Sequence, residues 1–214
     1  MSERHLLVVR HGQTEANATG VLQGHQPTAL NALGRQQARL VAARLAAWQP
    51  RVSAIVTSDL PRAAQTAEPI AAACRAPVVA DADWRERGLG EMEGKTIGEH
   101  DAWRAVSGSF DPPGAESVAE LEARVRRALL AAFGHAPAAA VVAVVTHGGP
   151  VRAILRMLGD GRLPLAGGHE APALVQIINC SIMDLVESSG RWSVACVNDA
   201  AHLEPPDSTD RDAG

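Results

Sequence analysis

The chain has 214 residues, 46% hydrophobic and 21% charged, which is enough to bury one sizeable core and too apolar for a disordered polypeptide. Its net charge of −4 argues against a broad nucleic-acid surface, and all but Lys95 of the 20 basic residues are arginines scattered along the chain. Cys74, Cys180 and Cys196 are an odd count with no CxxC pair, so they indicate neither a zinc site nor a disulfide framework and suit buried thiols in a reducing, cytoplasmic setting.

The first apolar run, Leu6-Leu7-Val8-Val9, predicts a buried strand over 5–9. It is too short for a signal-peptide core or a membrane span, so no membrane partner is expected. The run ends at Arg10-His11-Gly12-Gln13. Open α/β sheets bind ligands just beyond the carboxyl ends of their strands. That end here carries a guanidinium, whose planar fork suits phosphate oxygens, beside an imidazole that can attack phosphorus when neutral. Gly12, having no Cβ, is expected to let the backbone approach a ligand. A helix over 31–47 and a strand over 53–57 follow. A second helix over 60–75 places Arg62, from the segment Ser58-Asp59-Leu60-Pro61-Arg62, in its first turn. A short strand over 77–80 leads into a glycine-punctuated loop, Trp84 to Gly94, in which Glu86 is the candidate acid with Glu91 and Glu93 close by.

Beyond this loop, Trp103, Phe110 and the Pro112-Pro113 turn either form a lid over the site or simply pack. A helix over 117–133 opens on the capping-box pattern Ser117-Val118-Ala119-Glu120. The strand predicted over 140–146 runs into His147-Gly148-Gly149, repeating the strand-His-Gly arrangement of the first motif. The helix over 149–158 that follows carries Pro150 in its first turn. Strands over 174–179, 181–187 and 192–198 are expected to form a late meander. Alternation of strands and helices implies an α/β fold, a three-layer α/β/α sandwich with a mostly parallel central sheet. It is read as a single domain over 1–203, with a disordered tail over 204–214 that is rich in Pro, Asp and Ser.

With these motifs in place, the chain resembles the histidine phosphatase superfamily, also called phosphoglycerate mutase-like, from about residue 6 to 197. The resemblance implies that His11 is the nucleophile that becomes phosphorylated, and that Arg10, Arg62 and His147 surround the phosphoryl group. Glu86, four residues before Gly90, matches the proton donor to the leaving oxygen. Asn17 and Gln23, with Gly24 and Gly148, are carried over as further phosphate contacts. The segment Ala29-Leu30-Asn31-Ala32-Leu33-Gly34 lacks the proline usual in the family, a departure that bears on loop conformation only.

Independently of the resemblance, two guanidiniums and an imidazole supply donors for a transition state whose charge spreads over three equatorial oxygens. No metal and no cofactor is then required. His11 must be neutral at its attacking nitrogen, so its other nitrogen is expected to donate to a backbone carbonyl. The function expected is a phosphatase acting on a small phosphomonoester, such as a phosphosugar or phosphoglycerate, with a small phosphorylated metabolite as its partner and no nucleic acid or membrane. The long basic insertion of the family's cofactor-dependent mutases is absent between Glu86 and Ser117, which favours hydrolysis. A phosphoglycerate mutase, a protein-directed phosphatase and an inactive binding module on the same fold stay open, as do monomer and homodimer.

Overall fold

The computed structural model describes residues 3–135, 140–161, 163 and 176–204. In chain order its elements are β1 (Arg4–Arg10), α1 (Glu15–Thr19), α2 (Ala32–Ala46), β2 (Ala54–Thr57), α3 (Pro61–Cys74), β3 (Val78–Ala80), α4 (Ile97–Ser107), α5 (Val118–Ala131), β4 (Val141–Thr146), α6 (Gly148–Gly159), β5 (Ile182–Ser188) and β6 (Arg191–Asp199). They form one sheet in the order β3-β2-β4-β1-β5-β6. The first four strands are parallel, and β5 and β6 are antiparallel additions beside β1.

Side chains alternate across a strand, so β1 faces two cores. Leu6 and Val8 pack with Val125 and Leu129 of α5 and Ile154 of α6, whereas Leu7 and Val9 pack with Val41 and Leu45 of α2 and Ile70 of α3. Helices therefore cover both faces in three layers, and β4, Val-Val-Ala-Val-Val-Thr, is buried along its whole length, as a central parallel strand requires. Register places Arg10 opposite Thr146. The next residues on the two central strands, His11 and His147, therefore leave the sheet side by side.

Local chemistry sets the helix starts. Asn31 caps α2 through its side chain, Pro61 opens α3, and Ser117 with Glu120 forms the expected capping box of α5. The proline-free segment before α2 is held by Leu30, whose N–H donates to Gln65 Oε1 at 2.9 Å.

The strand expected over 174–179 is not formed by 176–179; residues 174 and 175 lie outside the described residues. The reason lies in competing hydrogen bonds. Ile177 offers its carbonyl to Arg10, Asn179 donates to the His11 carbonyl, and Cys180 turns at φ +57° to donate to the Arg10 carbonyl at 2.9 Å. Of the meander, the described residues form the β5–β6 hairpin. Two helices lacked an apolar stripe in sequence: the five-residue α1, and α4, which buries no residue. Trp103 is half-buried near His100, and Phe110 is exposed, with Arg104 stacked 4.1 Å over its ring. The Pro112-Pro113 turn supports the Gly90 turn, because Glu91 N–H donates to the Pro113 carbonyl at 3.1 Å. Residues 205–214 of the expected tail lie outside the described residues. Among the described residues no helix is long and apolar enough to cross a membrane.

Candidate active site

His11 and His147 are both buried at the carboxyl ends of β1 and β4, with ring centroids 5.0 Å apart at 60°. His11 N–H donates to the Thr146 carbonyl at 2.8 Å, fixing the two strand ends together. The tautomers follow from the partners. Arg62 Nε–H can only donate, and it reaches His11 Nε2 at 3.3 Å and His147 Nδ1 at 3.2 Å, so both of these nitrogens carry lone pairs. The proton of His11 then sits on Nδ1 and is donated to the Gly12 carbonyl at 2.7 Å. That of His147 sits on Nε2 and is donated to Ser58 Oγ at 2.9 Å. Burial, then the charges of Arg10 and Arg62, hold His11 well below the usual histidine range. His147 is lowered likewise, first by burial and then by its cationic surroundings.

Arg62, in the first turn of α3, is 1% exposed and donates from all three of its nitrogens, which leaves one of its five N–H groups, on Nη2, for a ligand. Besides the two imidazoles it donates to the Gln26 carbonyl at 3.0 Å, Thr28 Oγ1 at 3.3 Å and the Gly24 carbonyl at 2.8 Å. Arg10 is tied to the Ile177 carbonyl through one terminal nitrogen, while its buried Nε has no partner among the described residues. Burial, then neighbouring Arg152 and Arg62 against the opposing pull of Glu86, lowers Arg10 to about 10, still cationic at neutral pH.

Glu86 reaches the site from the loop after β3. Its carboxylate accepts from the Arg87 N–H at 2.8 Å and the Gly149 N–H at 3.0 and 3.2 Å, which anchors it on the first turn of α6. Its backbone carbonyl accepts from His25 Nε2 at 2.7 Å and Arg124 at 3.3 Å. Arg124 also donates to the carbonyls of Asp83 and Arg85 and pairs with Glu116 at 2.6 Å, so one guanidinium clamps the whole loop. Glu93, the competing carboxylate, instead accepts from the backbone of His25 and Leu89.

Asn17 completes the capping box that Thr14 opens on α1, its Oδ1 accepting from the Thr14 N–H and from Asn179, and it lines the cavity. Gln23 lines the cavity as well. Its Oε1 accepts from Thr14 at 2.9 Å and Thr28 at 2.5 Å, so its amide N–H groups are the ones left to meet a ligand. Gly24, at φ +48°, contributes its carbonyl to Arg62, and Gly148 is the buried first residue of α6. A Cβ on Gly12 would lie 2.5 Å from the Gly34 carbonyl oxygen, so the missing side chain there admits α2. Sequence reading passed over Ser58 although it lies in the quoted Arg62 segment. It also passed over Asn179 and Arg124, which act through contacts spanning 168 and 38 residues and carry no local signal.

Arg10, His11, Asn17, Gln23, Arg62 and Glu86 line a cavity of about 570 Å³, with Ile97, His100 and Arg104 of α4 and Phe110 also on its wall, and His147 lies behind His11 and Arg62. Among the described residues no three of His, Cys, Asp and Glu converge as a metal-binding group. The arrangement offers a neutral imidazole lone pair, two buried guanidiniums and a carboxylate around one point, which is what transfer of a phosphoryl group to nitrogen requires.

Comparison with known proteins agrees with this geometry. The family described as the histidine phosphatase superfamily (branch 1) matches residues 6–200. The chain is 37% identical over 210 residues to phosphoglycerate mutase-like protein 4 of Arabidopsis thaliana, covering 93% of this chain and 86% of that one. It is 35% identical over 215 residues to a protein of Yersinia enterocolitica named "Probable phosphoglycerate mutase GpmB", covering 94% and 95%. Among solved structures, a mycobacterial glucosyl-3-phosphoglycerate phosphatase superposes with a TM-score of 0.77 at 31% identity, covering 92% of this chain and 99% of that one.

Proposed function

The chain belongs to the histidine phosphatase superfamily, and from that membership we propose that it is a metal-independent phosphatase hydrolysing a small phosphomonoester through a phosphohistidine on His11. The observation that carries this reading is the tautomer of His11. With Nδ1–H donated to the Gly12 carbonyl, Nε2 is left proton-free at the cavity wall, engaged only by a 3.3 Å contact from Arg62 Nε–H that phosphorus would replace.

The reaction then runs as two displacements. His11 Nε2 attacks phosphorus and the ester P–O bond breaks, while the Glu86 carboxyl gives its proton to the departing oxygen. Water next attacks the phosphohistidine, giving a proton back to Glu86 as the N–P bond breaks and phosphate leaves. Arg10 and Arg62 meet the charge that develops on the equatorial oxygens. His147 is neutral at Nδ1, so it must gain a proton there before it can donate to a phosphate oxygen.

A second reading has one observation in its favour, the names of the curated relatives: a mutase would use the same phosphohistidine and return the phosphoryl group to a second hydroxyl. The test is phosphate release from a panel of phosphomonoesters with EDTA present and His11→Ala as control. Release that depends on His11 and ignores EDTA supports the phosphatase. Interconversion of phosphoglycerates without release supports the mutase.

A further inference from the structure

Resting on the phosphatase reading, one feature of the cavity goes beyond it. Among the described residues six arginines line it, against a single carboxylate, Glu86. Two of the six are already neutralised: Arg87 by Asp111 at 2.5 Å and Arg156 by Glu122 at 2.8 Å. Arg10 and Arg62 belong to the phosphoryl cradle. Arg104 and Arg152 remain, and neither has an ion-pair partner or a side-chain hydrogen bond among the described residues; Arg104 only stacks on Phe110. A phosphate dianion offsets about two of the four unpaired guanidiniums, which leaves Arg104, half-buried, and Arg152, exposed at the cavity mouth, as cations without a counter-charge among the described residues.

Arg152 is the better placed of the two. A Cβ built on Gly148 would lie 3.3 Å from both of its terminal nitrogens, so the guanidinium folds back over the first turn of α6, where a side chain would crowd it. The neighbouring residue, Gly149, holds the Glu86 carboxylate through its N–H. Arg152 is near enough to Arg10 for its charge to be felt there. It therefore stands on the side of the cavity where the acid meets the departing alcohol, one helical turn from the reacting centre, with donors unspent.

We propose that Arg152 is a specificity-determining residue that binds a second anionic group, carboxylate or phosphate, on the alcohol portion of the substrate. Favoured substrates are then phosphomonoesters carrying two anions, and neutral phosphosugars are poor ones.

The experiment uses two matched pairs, 3-phosphoglycerate against glycerol 3-phosphate and fructose 1,6-bisphosphate against fructose 6-phosphate, with p-nitrophenyl phosphate as a general ester. kcat/KM is measured for the wild-type chain, Arg152→Gln and Arg152→Lys. The expected wild-type preference is about ten- to hundredfold for the two-anion member of at least one pair, the size of one charge-assisted hydrogen-bonded contact. The pair that shows it tells carboxylate from phosphate. That ratio should collapse in Arg152→Gln and be partly kept in Arg152→Lys. No preference in either pair, or a preference unchanged within threefold in Arg152→Gln, overturns the proposal. Affinities of the same pairs for His11→Ala, measured by calorimetry, separate the two layers. Hydrolysis of p-nitrophenyl phosphate without any two-anion preference defeats the Arg152 subsite alone. Absence of hydrolysis, with the two-anion ligand still bound more tightly and Arg152-dependently, defeats the phosphatase reading alone.

Discussion

Gly149→Ala separates the position of the acid from the stability of the fold. Gly149 is the second residue of α6 and has no positive φ, so alanine fits its backbone and should favour the helix by up to about 1 kcal/mol. Its Cβ, however, would lie 1.9 Å from Glu86 Oε1 and 3.1 Å from the carboxyl carbon. Ordinary contact begins near 3.4 Å, so the oxygen must retreat by about 1.5 Å. The carboxylate is the far end of a flexible side chain and can yield cheaply in stability, but it would lose its hydrogen bonds from the Gly149 N–H. Misplacing a catalytic group by about 1 Å costs on the order of 100-fold, and a general acid contributes about 100- to 10,000-fold. We expect an alkyl phosphate to lose 100-fold or more in kcat while p-nitrophenyl phosphate, whose leaving group needs little protonation, loses much less. The thermal midpoint should hold or rise. Alkyl phosphate hydrolysis within threefold of wild type, or a clear fall in the thermal midpoint, would refute the reasoning.

Further predictions follow from the same geometry. Glu86→Gln should steepen the dependence of kcat on leaving-group pKa across a series of aryl and alkyl phosphates; parallel loss on all esters would count against Glu86 as the acid. Ser58→Ala leaves the buried Nε2–H of His147 without its acceptor, so denaturant unfolding should show a loss of about 1–3 kcal/mol together with slower phosphate release, and an unchanged midpoint would remove this hydrogen bond from the argument. The depressed His11 and His147 bind fewer protons folded than unfolded, so the stability they contribute is complete above about pH 6.5, the unfolded value. Below that pH it falls, by up to about 1.4 kcal/mol per pH unit for each histidine. Urea midpoints between pH 7.5 and 5.5 should show this, with a shallower slope in His11→Ala. Sulfate, which has no titratable proton at pH 7, should bind with proton uptake as His147 becomes a donor; calorimetry in buffers of different ionisation enthalpy reads the proton directly, and buffer-independent heats would oppose it.

What the sequence determined by itself is local or periodic. Apolar runs such as Leu6-Leu7-Val8-Val9 and the all-buried β4 announce strands, the Ser117 and Glu120 pair announces a helix start, and a strand that ends in Arg10-His11 commits both side chains to one sheet edge because they are covalent neighbours. The second strand-His-Gly motif adds His147 by the same reasoning, and the expected bond of His11 Nδ1 to a backbone carbonyl needed only the adjacent Gly12. Tertiary structure alone decided the rest. The close packing of α2 against Gly12 came from the approach of Gly34, and the irregular course of 176–179 from hydrogen bonds to Arg10 and His11 at the other end of the chain. The clamp of Arg124 on the Glu86 loop and the lie of Arg152 over Gly148 likewise depend on packing. Hydrophobic periodicity records which face of an element is buried, but it carries no information about which distant polar group will meet a given carbonyl or guanidinium once the layers close.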